Sequence, residues 1–280
     1  MIIEKYFGIE REAAQKLIDA TQNMTSEKSG DNGFQNTKVF LFDEYAVLKM
    51  QNINVRNVTT PDTDLNHLER LAGTLWDLQT KGVNVVPILA VQSDDGDGYI
   101  IQQRAKGAEL YDRDKLGDKN YILKRVEFLS DVSQEHFDKF IADAIKIIDA
   151  GVLIDSVGKD NFFYHETIGF QFIDLNAHED YEYGLTAEKS QGKKSAFLNC
   201  FLPLSHCPYY FVIMPKYGEI VSNLSAELTD TERASLKENN GKILGKCKAA
   251  AINSGISEEL LSEIIAGEKF ISQMRLLELL

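Results

Sequence analysis

Residues 161–176 read "NFFYHETIGFQFIDLN". Two short aromatic runs, "NFFYH" and "GFQFID", flank Glu166-Thr167. Aromatic residues in short runs around a polar break predict a pair of strands joined at Glu166-Thr167. Asn161 opens the pair and Asp174 closes it. Phe172 and Ile173 belong in a buried strand, yet Asp174 follows them directly. An ionised carboxylate at the end of an apolar strand is costly unless something pairs with it. The fold therefore turns on what Asp174 faces, and the rest of the chain has to supply the answer.

The chain has 280 residues, enough for one large domain or two lobes. Hydrophobic residues make up 44%, which supports a sizeable core and argues against global disorder. The formal charge of −13 disfavours nucleic acid as a partner, because phosphate backbones need clustered Lys and Arg. It does not disfavour a small anionic ligand, which needs only a few local donors. The three cysteines, Cys200, Cys207 and Cys247, form no CxxC pair and argue against a disulfide framework or a zinc site. "MIIEKYFGIERE" carries charges within its apolar run and does not read as a secretory signal. No stretch reaches the ~18 apolar residues of a membrane span. A soluble cytoplasmic protein with no membrane partner is expected.

Residues 9–23 predict a helix, with Ile9, Ala13, Leu17 and Ala20 on one face. "MTSEKSGDNGFQN" reads as a loop holding Gly30 and Gly33. "TKVFLF" and "YAVLKM" predict a hairpin turning at Asp43-Glu44. Residues 64–81 predict a helix whose apolar face is Leu65, Leu68, Ala72, Leu75 and Trp76, closed at Lys81-Gly82. "NVVPILAVQ" and "GYIIQQR" predict two strands around the acidic turn "SDDGDG". Beyond them the chain is mainly helical. Residues 134–150 are periodic and stop at Gly151, and Ser257-Glu258-Glu259 marks another helix start. "AEKSQGKKS", 187–195, reads as a loop.

Five polar residues stand out from their surroundings. Lys49 interrupts the apolar strand "YAVLKM", and Glu69 sits on the helix that follows. Asp155 follows "GVLI", and Asn161 and Asp174 bound the aromatic hairpin. Singly, each has an ordinary reading as a solvated lysine or glutamate, or as a turn former. Their order and spacing resemble the protein kinase-like fold. There a lysine on the third strand reaches the nucleotide's α- and β-phosphates, a helix glutamate pairs with it, and a catalytic-loop Asp and Asn and a later Asp complete the site. "YAVLKM" is similar to the family's V-A-I-K, with Glu69 20 residues after Lys49. The segment from Asn161 to Asp174 matches without a gap, and "YIIQQRAKGAEL" resembles the strand and hinge between the lobes.

The resemblance covers roughly residues 30–176 and implies a bilobal α+β fold. Residues 1–104 would form a small antiparallel sheet with one helix, and residues 105–280 a larger, mainly helical lobe. It implies an ATP-dependent phosphotransferase using Mg2+. Lys49 would hold phosphates, Glu69 would orient Lys49, and Asp155 would position or deprotonate the acceptor hydroxyl. Asn161 and Asp174 would bind magnesium, which is the partner this reading gives Asp174. Gln102 takes the gatekeeper position, Gln103, Arg104 and Ala105 the hinge, and Gly30 and Gly33 the phosphate-cradling loop. The acceptor stays open between a protein and a small molecule.

Several motifs depart from the family. "SGDNGF" is not G-x-G-x-x-G, and "DLN" stands where the family has D-F-G. "LIDSVGKDN" lacks the His and Arg of the catalytic loop and places Asp155 six residues before Asn161, where the family has five. These departures keep two alternatives open: a pseudokinase acting as a nucleotide-binding or protein-interaction module, and an unrelated α+β protein.

Overall fold

The computed structural model describes residues 3–25, 28–29, 37–51, 65–94, 97–112, 115, 117–154, 161–173, 175–177, 192–204 and 223–267. They divide into two compact units. The first draws on Met1–Ala105, Ala150–Leu153 and Leu175–Thr186, and the second on Lys106–Asp149, Ile154–Asp174 and Ala187–Leu280. Two short later stretches thus join the N-terminal unit, because β8 (Val152–Leu153) pairs with β11 (Asn176–Ala177) there and the helix of residues 65–80 packs on β11.

The first unit is built on a six-stranded antiparallel sheet in the order β1-β5-β6-β4-β3-β2. Its strands are β1 (Ile3–Tyr6), β2 (Lys28–Ser29), β3 (Thr37–Leu41), β4 (Tyr45–Gln51), β5 (Ile88–Asp94) and β6 (Asp97–Gln103). The predicted hairpin at Asp43-Glu44 forms, closed by Phe42 N–H donating to the Tyr45 carbonyl at 2.8 Å, with Leu41 opposite Ala46. Successive side chains on a strand point to opposite faces, so the register assigns each residue to one face or the other.

One face carries the row Phe40, Val47, Ile101, Ala90 and Tyr6. The helix α1 (Arg11–Thr21) covers it, burying Ala14 and Ile18 against Phe40, Val47, Ala90 and Ile101. The opposite face carries Leu48, Ile100, Val91 and Lys5 in one row. The helix α2 (Leu65–Thr80) lies on that side: Gly73 comes up against the Phe7 ring, and Glu69 bonds Lys5. Leu71, Ala72, Leu75 and Leu78 form its buried stripe, at the spacing expected of an amphipathic helix.

The second unit contains the aromatic hairpin. β9 (Phe162–His165) and β10 (Gly169–Phe172) pair with Phe162 opposite Phe172, and β7 (Ala108–Glu109) adds to the outer side of β9. Helix α4 (Gln134–Asp149) packs on β10. Phe140 stacks on Phe172 at 4.8 Å, tilts over Phe170 at 4.5 Å and meets Phe162 edge-on at 6.0 Å. All four rings are fully buried, and each contributes roughly 1.5–3 kcal/mol by leaving water. Gly151, at φ 77°, ends α4 in the left-handed conformation that glycine adopts without strain.

Around this core stand α3 (Lys119–Asp131), α5 (Gly192–Leu204), α6 (Asp230–Asn253) and α7 (Glu258–Ala266). Asp118 caps α3 by accepting from the Asn120 and Tyr121 amides. Thr229 and Glu232 form a reciprocal capping box on α6, and Ser257 caps α7 as its sequence predicts. Lys246 of α6 donates to the Ser130 and Val132 carbonyls, both at 2.6 Å, and closes the C-terminal end of α3.

Residues 192–195 are helical where a loop is expected. They lead into Ala196, Phe197, Cys200 and Phe201, all buried, and that packing, with two helix-favouring lysines, outweighs the low helix propensity of Gly192 and Ser195. Residues 187–191 lie outside the described residues.

Candidate functional site

Lys49 sits on β4, the third strand of the β2-β3-β4 meander, as the resemblance requires of its lysine. The face it occupies is another matter. Lys49 lies opposite Tyr99, which lies opposite Gln92, which lies opposite Glu4. This row is two residues along from Val47 and Ile101, and so belongs to the face that α1 covers. Its contacts agree. The Lys49 ammonium stands 5.6 Å from the centre of the Tyr99 ring. Gln92 Nε2 donates to Gln15 Oε1 of α1 at 3.4 Å and to Glu4 Oε1 at 3.3 Å. Arg11, at the start of α1, bonds Glu4 at 2.8 Å. Tyr6 beside them has its phenol pKa raised, by partial burial first and by the Glu4 charge second.

Glu69 is on the other side. Its carboxylate pairs with Lys5 Nζ at 2.8 Å, both side chains partly exposed. Lys5 stands in register with Val91, Ile100 and Leu48, one residue out of phase with Lys49. The expected Lys49–Glu69 pair is therefore replaced by Lys5–Glu69. The reason is the two-residue period of strands: β4 turns Leu48 toward the α2 side and Lys49 toward α1. Lys5 carries no local sequence signal for this role. It lies on a four-residue strand that pairs with β5, far along the chain.

The hinge segment is well defined. Gln103 N–H donates to the Pro87 carbonyl at 3.1 Å, and Arg104 N–H donates to the Glu44 carbonyl at 2.8 Å. The Arg104 guanidinium bonds the Phe42 carbonyl at 3.1 Å, and Gln103 Oε1 accepts from Gln79 Nε2 of α2 at 2.8 Å. Two of the three hinge amides are thus committed within the chain. The amide of Ala105, half-buried, donates to nothing among the described residues. Gln102, half-buried, lies opposite Ala46. An unpaired amide beside a strand end is a ready donor for a ligand's acceptor atom.

Asn161 is buried at 8% exposure and opens β9. Its carbonyl accepts from Ile173 N–H at 3.0 Å, so backbone pairing continues to the residue before Asp174. Asp174, Asp155, Gly30 and Gly33 lie outside the described residues. Among the described residues, no group of three His, Cys, Asp or Glu side chains is placed to hold a metal ion. No described helix is long and apolar enough to cross a membrane.

No family model matches the chain, and neither does any curated protein. Solved structures similar to it include these two. One is the pseudokinase domain of BIR2, an immune regulator of the RLK/Pelle family: 12% identity, 98% of this chain and 90% of that one covered, TM-score 0.46. The other is the bifunctional kinase-methyltransferase WbdD: 10% identity, 84% of this chain and 47% of that one covered, TM-score 0.38. Both scores fall below 0.5, and the chain's own elements define the fold. Those elements make an α+β architecture: a small antiparallel sheet with its helices, and a second, mainly helical unit built on the Asn161–Ile173 hairpin.

Proposed function

We propose that this chain is a kinase-like binding module that takes a nucleotide by its base, along the segment that follows β6, and that it does not transfer phosphate through a Lys49–Glu69 pair. One observation carries the reading: Lys49 and Glu69 belong to opposite faces of the sheet, and Glu69 is held by Lys5. Phosphoryl transfer depends on positioning and on fixed charge near the developing transition state. A lysine on the α1 side and a glutamate on the α2 side do not make one fixed charge. What supports binding is the uncommitted Ala105 amide and the half-buried Gln102, two groups suited to the edge of a heterocycle.

A second reading, the ATP-dependent phosphotransferase, is favoured by a separate observation. The buried Asn161 is backbone-paired to Ile173, so the two ends of the hairpin are adjacent, as a magnesium site shared by Asn161 and Asp174 needs. Labelled ATP with magnesium separates the two. Binding without transfer predicts a raised melting temperature, because a ligand of the native state stabilises it by mass action, and no label on the protein, on a lysate or on a metabolite pool. Transfer that disappears in Asp155→Asn and Asp174→Asn would establish the phosphotransferase instead.

A further inference from the structure

The hinge is held on both sides of Ala105. Before it, Gln103 and Arg104 give their amides to the Pro87 and Glu44 carbonyls. After it, the Lys106 amide donates to the side chain of Gln171, with 2.7 Å between Lys106 N and Gln171 Oε1. These two residues are 65 apart in sequence and belong to the same unit. Register explains how they meet. Gln171 on β10 is opposite Phe163 on β9, which is opposite Glu109 on β7. Its neighbours Phe170 and Phe172 pack on Phe140 of α4, so Gln171 points from the other face of the hairpin. Gly107 follows at φ 86°, close against the Tyr164 backbone, and leads into the pairing of Ala108 with Tyr164.

A peptide group is planar and trans, so its N–H and C=O point in opposite directions. Fixing the Lys106 N–H on Gln171 therefore fixes the Ala105 carbonyl as well and turns it away from the glutamine amide. The Arg104 bond to Glu44 fixes the Gln103–Arg104 peptide in the same way. The peptide that carries the Ala105 amide is left between two fixed planes, with only the φ and ψ of Arg104 and Ala105 to set its direction.

We infer that Gln171 is a positioning residue for the hinge: its side-chain oxygen holds the Ala105–Lys106 peptide in the orientation that presents the Ala105 amide to a heterocycle. The inference rests on the proposed base-binding reading and adds to it a residue that acts through the backbone. Without this bond Ala105 has to be ordered as the ligand binds, and ordering one residue's backbone costs about five- to tenfold in affinity. Adenosine, which is uncharged, is titrated by calorimetry into the full chain as wild type, Gln171→Met and Gln171→Glu. Met keeps the length and loses the acceptor, and Glu keeps an acceptor oxygen. Gln171→Met should bind about five- to tenfold more weakly, and Gln171→Glu within about twofold of wild type. A purely structural glutamine would lower the melting temperature and leave the dissociation constant of the folded protein unchanged. Equal binding by wild type and Gln171→Met would therefore overturn the inference and leave base binding standing. Equal weakening in both variants would overturn it too, since the accepting oxygen would then not be what matters. A wild type that does not bind adenosine would overturn base binding and the inference with it. Should Gln171→Met not fold, hydrogen exchange in the unliganded wild type decides: the Lys106 amide should exchange about tenfold or more slowly than an unbonded amide, and exchange at the unbonded rate would overturn the inference.

Discussion

Gly107→Ala tests the join between the hinge and β7. Gly107 follows Ala105 by two residues and has φ 86°. A Cβ there would stand 2.0 Å from the Tyr164 carbonyl oxygen, 2.6 Å from its carbon and 3.0 Å from His165 Cα. All three are backbone atoms of β9, so no side chain can swing away. The left-handed conformation costs alanine about 1–2 kcal/mol. Relieving the clash means separating β7 from β9, at Ala108 opposite Tyr164 and Glu109 opposite Phe163, and losing the 2.9 Å bond from Leu110 N–H to the Phe162 carbonyl. At about 1 kcal/mol net per hydrogen bond, the total reaches roughly 3–5 kcal/mol. Gly82→Ala is the control: φ is 79° and nothing lies within 4 Å of its Cβ position, so only the conformational cost remains, about 1–2 kcal/mol. Urea unfolding followed by far-ultraviolet circular dichroism measures both, since the single tryptophan, Trp76, shares a unit with Gly82 and not with Gly107. A Gly107→Ala variant no less stable than Gly82→Ala would refute the reasoning.

Three further outcomes are expected. Phe140→Ala, which empties the centre of the Phe162–Phe170–Phe172 cluster, should cost about 3–5 kcal/mol in the same unfolding measurement. The Glu232 carboxylate accepts from the Thr229 amide, the Lys119 ammonium and the Thr229 hydroxyl, which together hold its pKa down to about 2. Because the folded value is depressed, its contribution is complete above the ordinary carboxylate range and is lost as pH falls toward 2. Wild type should therefore exceed Glu232→Gln in stability at pH 6, with the gap closing below about pH 3 in acid-unfolding curves. Cys200 and Cys247 are buried and their thiols are pushed well up by that burial, so neither should react with a thiol reagent at pH 8 until denaturant is added.

Much of the fold is written locally. α2 spans Leu65–Thr80 where 64–81 is expected, α4 spans Gln134–Asp149 where 134–150 is expected, and the aromatic hairpin turns at Glu166-Thr167. Periodicity, a glycine stop and a two-sided aromatic run are short-range signals, and they survive in the packed chain. What fails is long-range. "IEKY" becomes an edge strand only by meeting β5, and no nearby residue announces that pairing. Lys49 is on the expected strand, but a strand's period divides its residues between two faces without saying which face a helix will cover. That choice is made by Ala14 and Ile18 packing on Val47 and Ile101, contacts between segments distant in sequence. The same packing leaves Glu69 to Lys5, a partner that the spacing of motifs could not supply. The Ala105 amide is equally invisible from sequence, because its neighbours' hydrogen bonds to Pro87 and Glu44 exist only in the folded sheet.

The most direct test of the central claim is calorimetric titration of ATP with magnesium into the wild type and into Lys49→Ala. The variant removes a cation over the Tyr99 ring, worth about 0.5–1 kcal/mol of stability, and should remain folded. With Lys49 on the α1 side of the sheet, the dissociation constant should be the same for both proteins within about twofold. A tenfold or greater weakening in Lys49→Ala, about 1.4 kcal/mol of lost binding, would put the lysine on the phosphates and contradict the account.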